Sequence, residues 1–270
     1  LTVGRQNSMN NDIIGVYDPL AGSYAFSLLA FSGGAMAGIG STETARWDNS
    51  VKYVYTYGPF HIGGEYSTGG ADTAIADHAG AVGGGFTWQG LSVDGAYTKE
   101  VGAINSSSLS ASQCGFLTLA ECQGLKTLSA FLTNNEAWTV AGKYTFDLGG
   151  GLKDPESAGK FTIFGGFNHS ELTQNTDTPP PSSTIGGYSL VIAPGGSEPA
   201  LGSTRVLETA WAGAKYETGP WALTGAYYHV DQNQFVSATK GVCTVPNSSK
   251  GPSCAGEFNE GSFVVDYTFT

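Results

Sequence analysis

The stretch Arg46–Tyr57, RWDNSVKYVYTY, decides the fold. Its odd positions are Trp47, Asn49, Val51, Tyr53, Tyr55 and Tyr57; its even positions are Arg46, Asp48, Ser50, Lys52, Val54 and Thr56. One face is almost wholly apolar and aromatic, the other carries charge and hydroxyl, and the period is two. A strand of a soluble protein is usually about 5–6 residues long. This run is twice that, and it suits a tilted strand crossing a bilayer, which needs about 9–11 residues.

The pattern recurs outward in both directions. Phe60, Ile62 and Tyr66 oppose His61, Gly63 and Glu65. Leu91, Val93 and Tyr97 oppose Ser92, Asp94 and Thr98. Trp138, Val140, Tyr144 and Phe146 oppose Thr139, Lys143, Thr145 and Asp147. Similar alternation covers 160–168, 221–228 and 263–269. Residues 78–89 fit with more glycine, and 203–217 fit with ambiguous phase. With a stub at 1–6, these make about ten strands. Tight turns at Tyr57-Gly58-Pro59, Gln89-Gly90 and Gly219-Pro220, with a longer one over 149–157, alternate with long polar segments at about 7–45, 68–77, 102–134, 171–202 and 232–258. Connections sorted in this way predict an up-and-down antiparallel sheet with one plain rim and one elaborate rim.

Composition excludes other classes. The 270 residues carry a formal charge of −11, with 13% charged residues, 12% aromatic residues and 40 glycines. The acidic balance argues against a nucleic-acid binder. The aromatic content argues against a disordered acidic chain, and the glycines argue against a helical protein. No apolar run reaches 18 residues, which excludes a helical membrane span but not a barrel. Aromatic residues crowd the strand ends (Trp47, Tyr57, Phe60, Trp88, Phe146, Trp221), as interfacial girdles require. Small residues fill many polar-face positions (Gly63, Ala81, Gly83, Gly85, Ala141, Gly166). The apolar faces carry no charge. The expectation is a transmembrane β-barrel in which the apolar face meets lipid. The chain starts and stops in mid-strand, so it reads as an internal piece of a longer polypeptide.

The phrases LTVGRQ, NNDIIGVYDPLAG and ARWDNSVKYVYTYGPFHIGGEYSTGG, followed later by AKYETGPWALTGAYYHV and EFNEGSFVVDYTFT, resemble the general trimeric porins of Gram-negative outer membranes. The resemblance implies one barrel domain over 1–270, holding about ten of about sixteen strands. It implies long extracellular loops, short periplasmic turns, and one loop, here residues 7–45, folded into the lumen. It further implies integral outer-membrane localisation, a homotrimer, outer-membrane lipid and lipopolysaccharide as surroundings, and passive diffusion of small hydrophilic solutes and ions.

The work of such a pore is selection by opposed charges across a narrowed gap. Carried over residue by residue, the resemblance places Arg5 and Arg46 on a basic lumen wall and Asp18 on the inserted acidic loop, with Asp12 and Glu43 beside it. Lys52 joins the basic wall by its own parity. Tyr17 serves equally well as a packing anchor or a pore residue. On this reading Arg46→Ala shifts selectivity towards cations.

Four cysteines form two local pairs, Cys114 with Cys122 and Cys243 with Cys254, in polar irregular stretches. Their spacing does not suit a zinc knuckle or a CxxC redox site, and two loop-stapling disulfides are expected. The four histidines are isolated, so no metal is expected. No cofactor motif and no nucleophile–base pairing appears, so an enzyme is not expected. Two rivals stand beside the porin: a substrate-selective outer-membrane channel, and a plugged barrel used as an anchor or adhesin.

Overall fold

The computed structural model describes residues 1–23, 25–30, 46–70, 75–107, 127–148, 159–175, 184–185, 188–191, 203–235 and 255–269. The strands are β1 (Thr2–Asn7), β2 (Arg46–Tyr57), β3 (Phe60–Ser67), β4 (Ile75–Trp88), β5 (Leu91–Ser107), β6 (Thr127–Asp147), β7 (Lys160–Gln174), β8 (Thr184–Ile185), β9 (Tyr188–Val191), β10 (Arg205–Thr218), β11 (Trp221–Gln232) and β12 (Gly256–Tyr267). One helix, α1 (Met9–Tyr17), follows β1. Ten strands make a continuous antiparallel meander in the order β1-β2-β3-β4-β5-β6-β7-β10-β11-β12, with the short β8 and β9 attached beside β6. The fold is therefore all-β, built as a wall of neighbouring antiparallel strands. No described helix is long and apolar enough to cross a membrane.

The tight turns lie together at one end of the wall. At β4–β5 the two-residue loop Gln89-Gly90 has φ of 48° and 85°, the positive pair that a type I′ hairpin requires and that glycine supplies at no steric cost. At the other end, strands run into segments that sequence alone reads as loop. Thus β5 extends to Ser107, β6 starts at Thr127 and β7 reaches Gln174. Their added residues are polar or of mixed phase, so alternation undercounts them. The two expected disulfides are not found among the described residues. Cys114 and Cys122 both lie in the stretch 108–126, and Cys243 and Cys254 both lie in 236–254, outside the described residues. The Cys114–Cys122 and Cys243–Cys254 bridges therefore rest on sequence spacing alone.

Register sorts the two faces. Tyr55, Ile62, Val140, Ile163, Leu223 and Val265 share the outer face and are exposed. Tyr57, Phe60, Trp88, Phe146, Trp221 and Tyr267 ring the tight-turn end of that face. From Phe146 to Trp138 the outward side chains of β6 form an apolar run of roughly 27 Å along the strand, at about 3.3 Å per residue. At the usual tilt of about 40° that run stands ~20 Å tall and accounts for most of the ~25 Å apolar band of an outer-membrane barrel. Beyond the band the outer face becomes charged, with Lys99 opposite Glu136 and Glu208 opposite Asp231. Polar groups fill the inner face and are buried: Ser67, Thr98, Thr139, Asn168, Thr209 and Thr224. Apolar outside and polar inside is the inverse of a soluble sandwich, and this wall is built to meet lipid.

Trp47 departs from its simple parity. Between Gly4/Ser50 and Gln6/Trp47 the register of β1 and β2 slips, so that Asp48 and Asn49 together oppose Arg5. Asn49 takes φ +50°, a left-handed conformation that Asn tolerates better than most residues. This bulge reverses the alternation. Trp47 therefore points inward, fully buried, and its indole donates to Glu100 Oε1 at 2.8 Å. It is not part of the lipid-facing aromatic girdle.

Candidate functional site

The segment after β1 turns inward and crosses the inner face of the wall as a strap. Ser8 starts α1 by accepting from the Asn11 amide at 3.2 Å, the usual service of a serine at a helix N-terminus. Ile13, Ile14 and Tyr17 share one side of α1 and pack with Ala96, Ala141, Trp211 and Tyr228 of the wall, together with Leu28 and Leu29 of the following short turn. Glycines of β3 and β4 make room for the strap's first residue. A Cβ on Gly63 or Gly83 would stand 3.4 or 3.1 Å from the Met9 methyl. Of the small inner-face residues read from the sequence, Gly63, Gly83 and Ala141 lie against the strap, whereas Gly85 makes room for Asp94, Gly166 for the Trp211 ring, and Ala81 packs beside Trp47, Ile75 and Ala79.

Polar contacts fix the strap along its length. Asn10 donates to Thr98 at 2.9 Å, and the Tyr17 hydroxyl lies 2.5 Å from Ser92 Oγ. Trp211 donates from its indole to the Tyr17 carbonyl at 3.1 Å. Lys143 donates to the Val16 carbonyl at 3.2 Å, placing a cation at the negative end of α1. Its Nζ also stands 5.6 Å from the Tyr17 ring centroid. Burial is the largest influence on the Tyr17 hydroxyl. With Ser92 acting downward and the nearby Asp94 carboxylate upward, the pKa is pushed up to about 12. Pro19 sits over Gly213, whose missing Cβ leaves it space.

The sequence-predicted site residues divide into two places. At the root of the strap, Lys52 pairs with Asp12 at 2.8 Å and with buried Glu65 at 3.3 Å, and it also contacts the Asn7 carbonyl. Asn7 donates to Asp12 Oδ1 at 3.3 Å and accepts from Arg46 Nε at 3.2 Å. Arg5 stands beside the bulge, 3.5 Å from Asp48. Arg46, Lys52 and Asp12 are therefore joined in one chain of contacts, with Arg5 next to it. Asp18 lies just past the far end of α1, six residues after Asp12, about 9 Å along the helix axis at 1.5 Å per residue. It is only 2% exposed, accepts from Tyr228 at 2.6 Å, and caps the turn through the Leu20 and Gly22 amides at 3.3 and 2.7 Å. Its carboxylate is engaged in anchoring the strap to β11. Glu43 lies outside the described residues.

Several functional side chains escaped sequence reasoning. Tyr228 stood on a polar face among Ala222 and Thr224, and that odd placement was the available signal. Trp211 lay in the stretch of ambiguous phase; its ring now covers inner-face Gly166. Glu65 was visible on a polar face, but nothing local marked it as the partner of Lys52.

The strap divides the inner surface. On its long-loop side the wall is dry: Trp47, Ile75 and Ala79 form a small core, and buried Glu100 accepts from Trp47 and Asn135. On its tight-turn side the inner groups are wetter: His61, Lys143, Lys160, Lys215 and Glu217. The strap's own outward side shows Asp12, Gly15, Val16 and Phe26 to solvent. Among the described residues no group of three or more potential ligands could hold a metal ion.

The fold and strap define a class: a lipid-facing antiparallel β-wall with an inward loop packed across its polar face. Compared with solved structures, the chain is similar to OmpT, an outer membrane protein of Vibrio cholerae. Against an OmpT variant lacking loop L8 it shows 14% identity and a TM-score of 0.39, covering 97% of this chain and 74% of that one. Against OmpT expressed in the outer membrane it shows 16% identity and a TM-score of 0.38, covering 97% and 76%. Against the in-vitro folded OmpT described as a trimer form it shows 14% identity and a TM-score of 0.39, covering 97% and 76%. No protein-family model and no curated protein matches the chain.

Proposed function

We propose that the chain forms the wall and constricting strap of an outer-membrane porin, a water-filled channel for passive diffusion of small hydrophilic solutes and ions. The observation that carries this reading is the strap itself. It is bonded to the inner face from β2 to β11, while one of its sides stays open to solvent. A loop so placed narrows a barrel without sealing it. Asp12, Lys52 and Arg46 stand at the strap's root and supply the mixed charge of the constriction, with Arg5, paired with Asp48 beside the bulge, and Glu43 as further charges. Asp18 belongs to the acidic loop as its buried pin. Two further copies of the chain complete a trimer in lipid and lipopolysaccharide.

The dry packing on the long-loop side favours one alternative, a plugged barrel serving as an anchor. Single-channel recording in a planar bilayer under a salt gradient separates the two. Ohmic steps with a reversal potential that moves when Asp12 is changed to Asn support the pore. Stable insertion without conductance overturns it and leaves the anchor.

A further inference from the structure

The open side of the strap carries a shelf that the charges at its root do not use. Asp12, Gly15 and Val16 stand at i, i+3 and i+4 on α1, so they share one side of the helix. All three are exposed, while Ile13, Ile14 and Tyr17 pack on the wall. Gly15 has no side chain, and a Cβ placed there would meet nothing within 4 Å. Beside it Val16 is 43% exposed. A bare glycine next to an aliphatic side chain, on the side of the strap turned away from the wall, makes an apolar patch held in water.

A cation closes one end of the shelf. Lys143 of β6 donates to the Val16 carbonyl and stands over the Tyr17 ring, and it has no carboxylate within ion-pair distance among the described residues. Lys52, Lys99 and Lys215 each meet a carboxylate at 2.8 Å or less. Lys160 has Asp147 and Glu217 directly opposite it on its two neighbouring strands. Lys143 instead faces Ser92 on β5 and Phe164 on β7. Asp94 is diagonal to it, and that carboxylate is engaged by His61 at 3.0 Å and by the Tyr17 hydroxyl. Lys143 is half-buried. At the other end of the shelf stands the half-exposed acid Asp12.

We propose that Gly15, Val16 and Lys143 form a subsite for small carboxylates that carry an apolar ring or branched chain. The carboxylate takes the free side of the Lys143 ammonium, a charge-assisted contact, and the apolar body lies on Gly15 and Val16, out of water. Asp12, one helical turn away on the same side, repels an anion and so fixes the orientation, with the carboxylate at the Lys143 end. A cation alone attracts any anion, and an apolar patch alone any apolar solute. Side by side they favour solutes that carry both features. The inference deepens the porin reading and rests on it, since the shelf meets passing solutes only in a water-filled lumen.

Fluorine NMR on the full chain in detergent reads binding without the need for current. The probes are 4-fluorobenzoate, trifluoroacetate (charge without the ring) and 4-fluorobenzamide (ring without the charge). At about pH 7.5 both acids are fully ionised. Line-width titrations show 4-fluorobenzoate binding about fivefold more tightly than either control. Lys143→Gln weakens 4-fluorobenzoate about fivefold, the upper scale of a half-exposed ion pair, and leaves 4-fluorobenzamide unchanged; Lys143→Arg retains the binding. Because Lys143 also caps α1, Gly15→Gln is the second variant. It fits the open space at that position, fills the shelf, and weakens 4-fluorobenzoate while leaving trifluoroacetate unchanged. Equal binding of the three probes overturns the proposal, as does parent-like binding of 4-fluorobenzoate in either Lys143→Gln or Gly15→Gln. Single-channel recording of the same protein separates this from the porin reading. Binding as expected in a protein that conducts no ions defeats the pore and leaves the subsite standing; conduction without the preference for ring and charge together does the reverse.

Discussion

Tyr228→Phe tests whether the strap is held by its far end. The Tyr228 hydroxyl donates to Asp18 Oδ1 at 2.6 Å, and Asp18 is 2% exposed. Removing that donor leaves the carboxylate buried with only the Leu20 and Gly22 amides. A hydrogen bond to a charged group contributes about 1.5–3 kcal/mol. At about 1.4 kcal/mol per tenfold, the population of undocked strap rises about 10- to 150-fold. The Gly22 amide, bonded to Asp18 Oδ2 at 2.7 Å, reports this as faster hydrogen exchange, and single channels report it as more frequent conductance substates around an unchanged main level. The control is Tyr227→Phe. Tyr227 is the adjacent residue, on the outer face, and its hydroxyl bonds Asn259 at 2.5 Å while exposed. It changes neither readout. Equal effects of the two variants, or no effect of Tyr228→Phe, would refute the pinning of the strap by Asp18.

Three further outcomes follow from particular contacts. Trp47→Phe leaves buried Glu100 without its indole donor and destabilises the folded protein by about 1–3 kcal/mol, measured as denaturant midpoint; Trp88→Phe, on the lipid-facing girdle, leaves the midpoint nearly unchanged. Gly213→Ala places a Cβ against both Pro19 and the Gly225 carbonyl of β11, so it lifts the strap tip and strains the β10–β11 pair, changing single-channel conductance and lowering the denaturant midpoint. Tyr17 titrates above the ordinary tyrosine range, about 12 against 10. Its raised value means that the stabilisation from the neutral hydroxyl is complete below pH 10 and is lost as pH rises towards 12. A difference titration at the phenolate absorbance, parent minus Tyr17→Phe, shows it, and a step at ordinary tyrosine pH would contradict the buried seat on Ser92.

Much of the wall was legible because alternation is a local property. Val51 to Tyr57 or Trp138 to Phe146 show their lipid face without knowledge of their neighbours, and glycine turns mark where each pair reverses. The strap was legible only as a long polar loop. Its helix depends on a Ser8 cap and on Ile13, Ile14 and Tyr17 finding a wall to pack on, and the wall side of that contact comes from strands far away in sequence. Asp18 shows the limit. The sequence marks it as an acid on the inserted loop, but whether that acid faces water or is spent on Tyr228 depends on a contact across 210 residues of chain. Trp47 shows the other limit: a single left-handed Asn49 inverts a parity that twelve residues otherwise spell out.

The bulge and the glycines also explain why the two sides of the strap differ. By turning Trp47 inward, the bulge brings the top of β2 against Glu100 of β5, three strands along the wall. Neighbouring strands lie about 4.8 Å apart, so that contact requires the wall to curve sharply there, and the enclosed corner fills with Ile75 and Ala79 in place of water. Below the strap the inner face of β4 carries only small side chains among its described residues there. Gly83 and Gly85 keep that surface low, so that His61 of β3 reaches Asp94 of β5 across Gly85 at 3.0 Å and both stay partly exposed. The same wall thus carries a dry half that fixes the strap's height and a wetter half that sets the charge beneath it. A change that fills the low surface, such as Gly85→Ala, should move both the strap end and the charge it rests on.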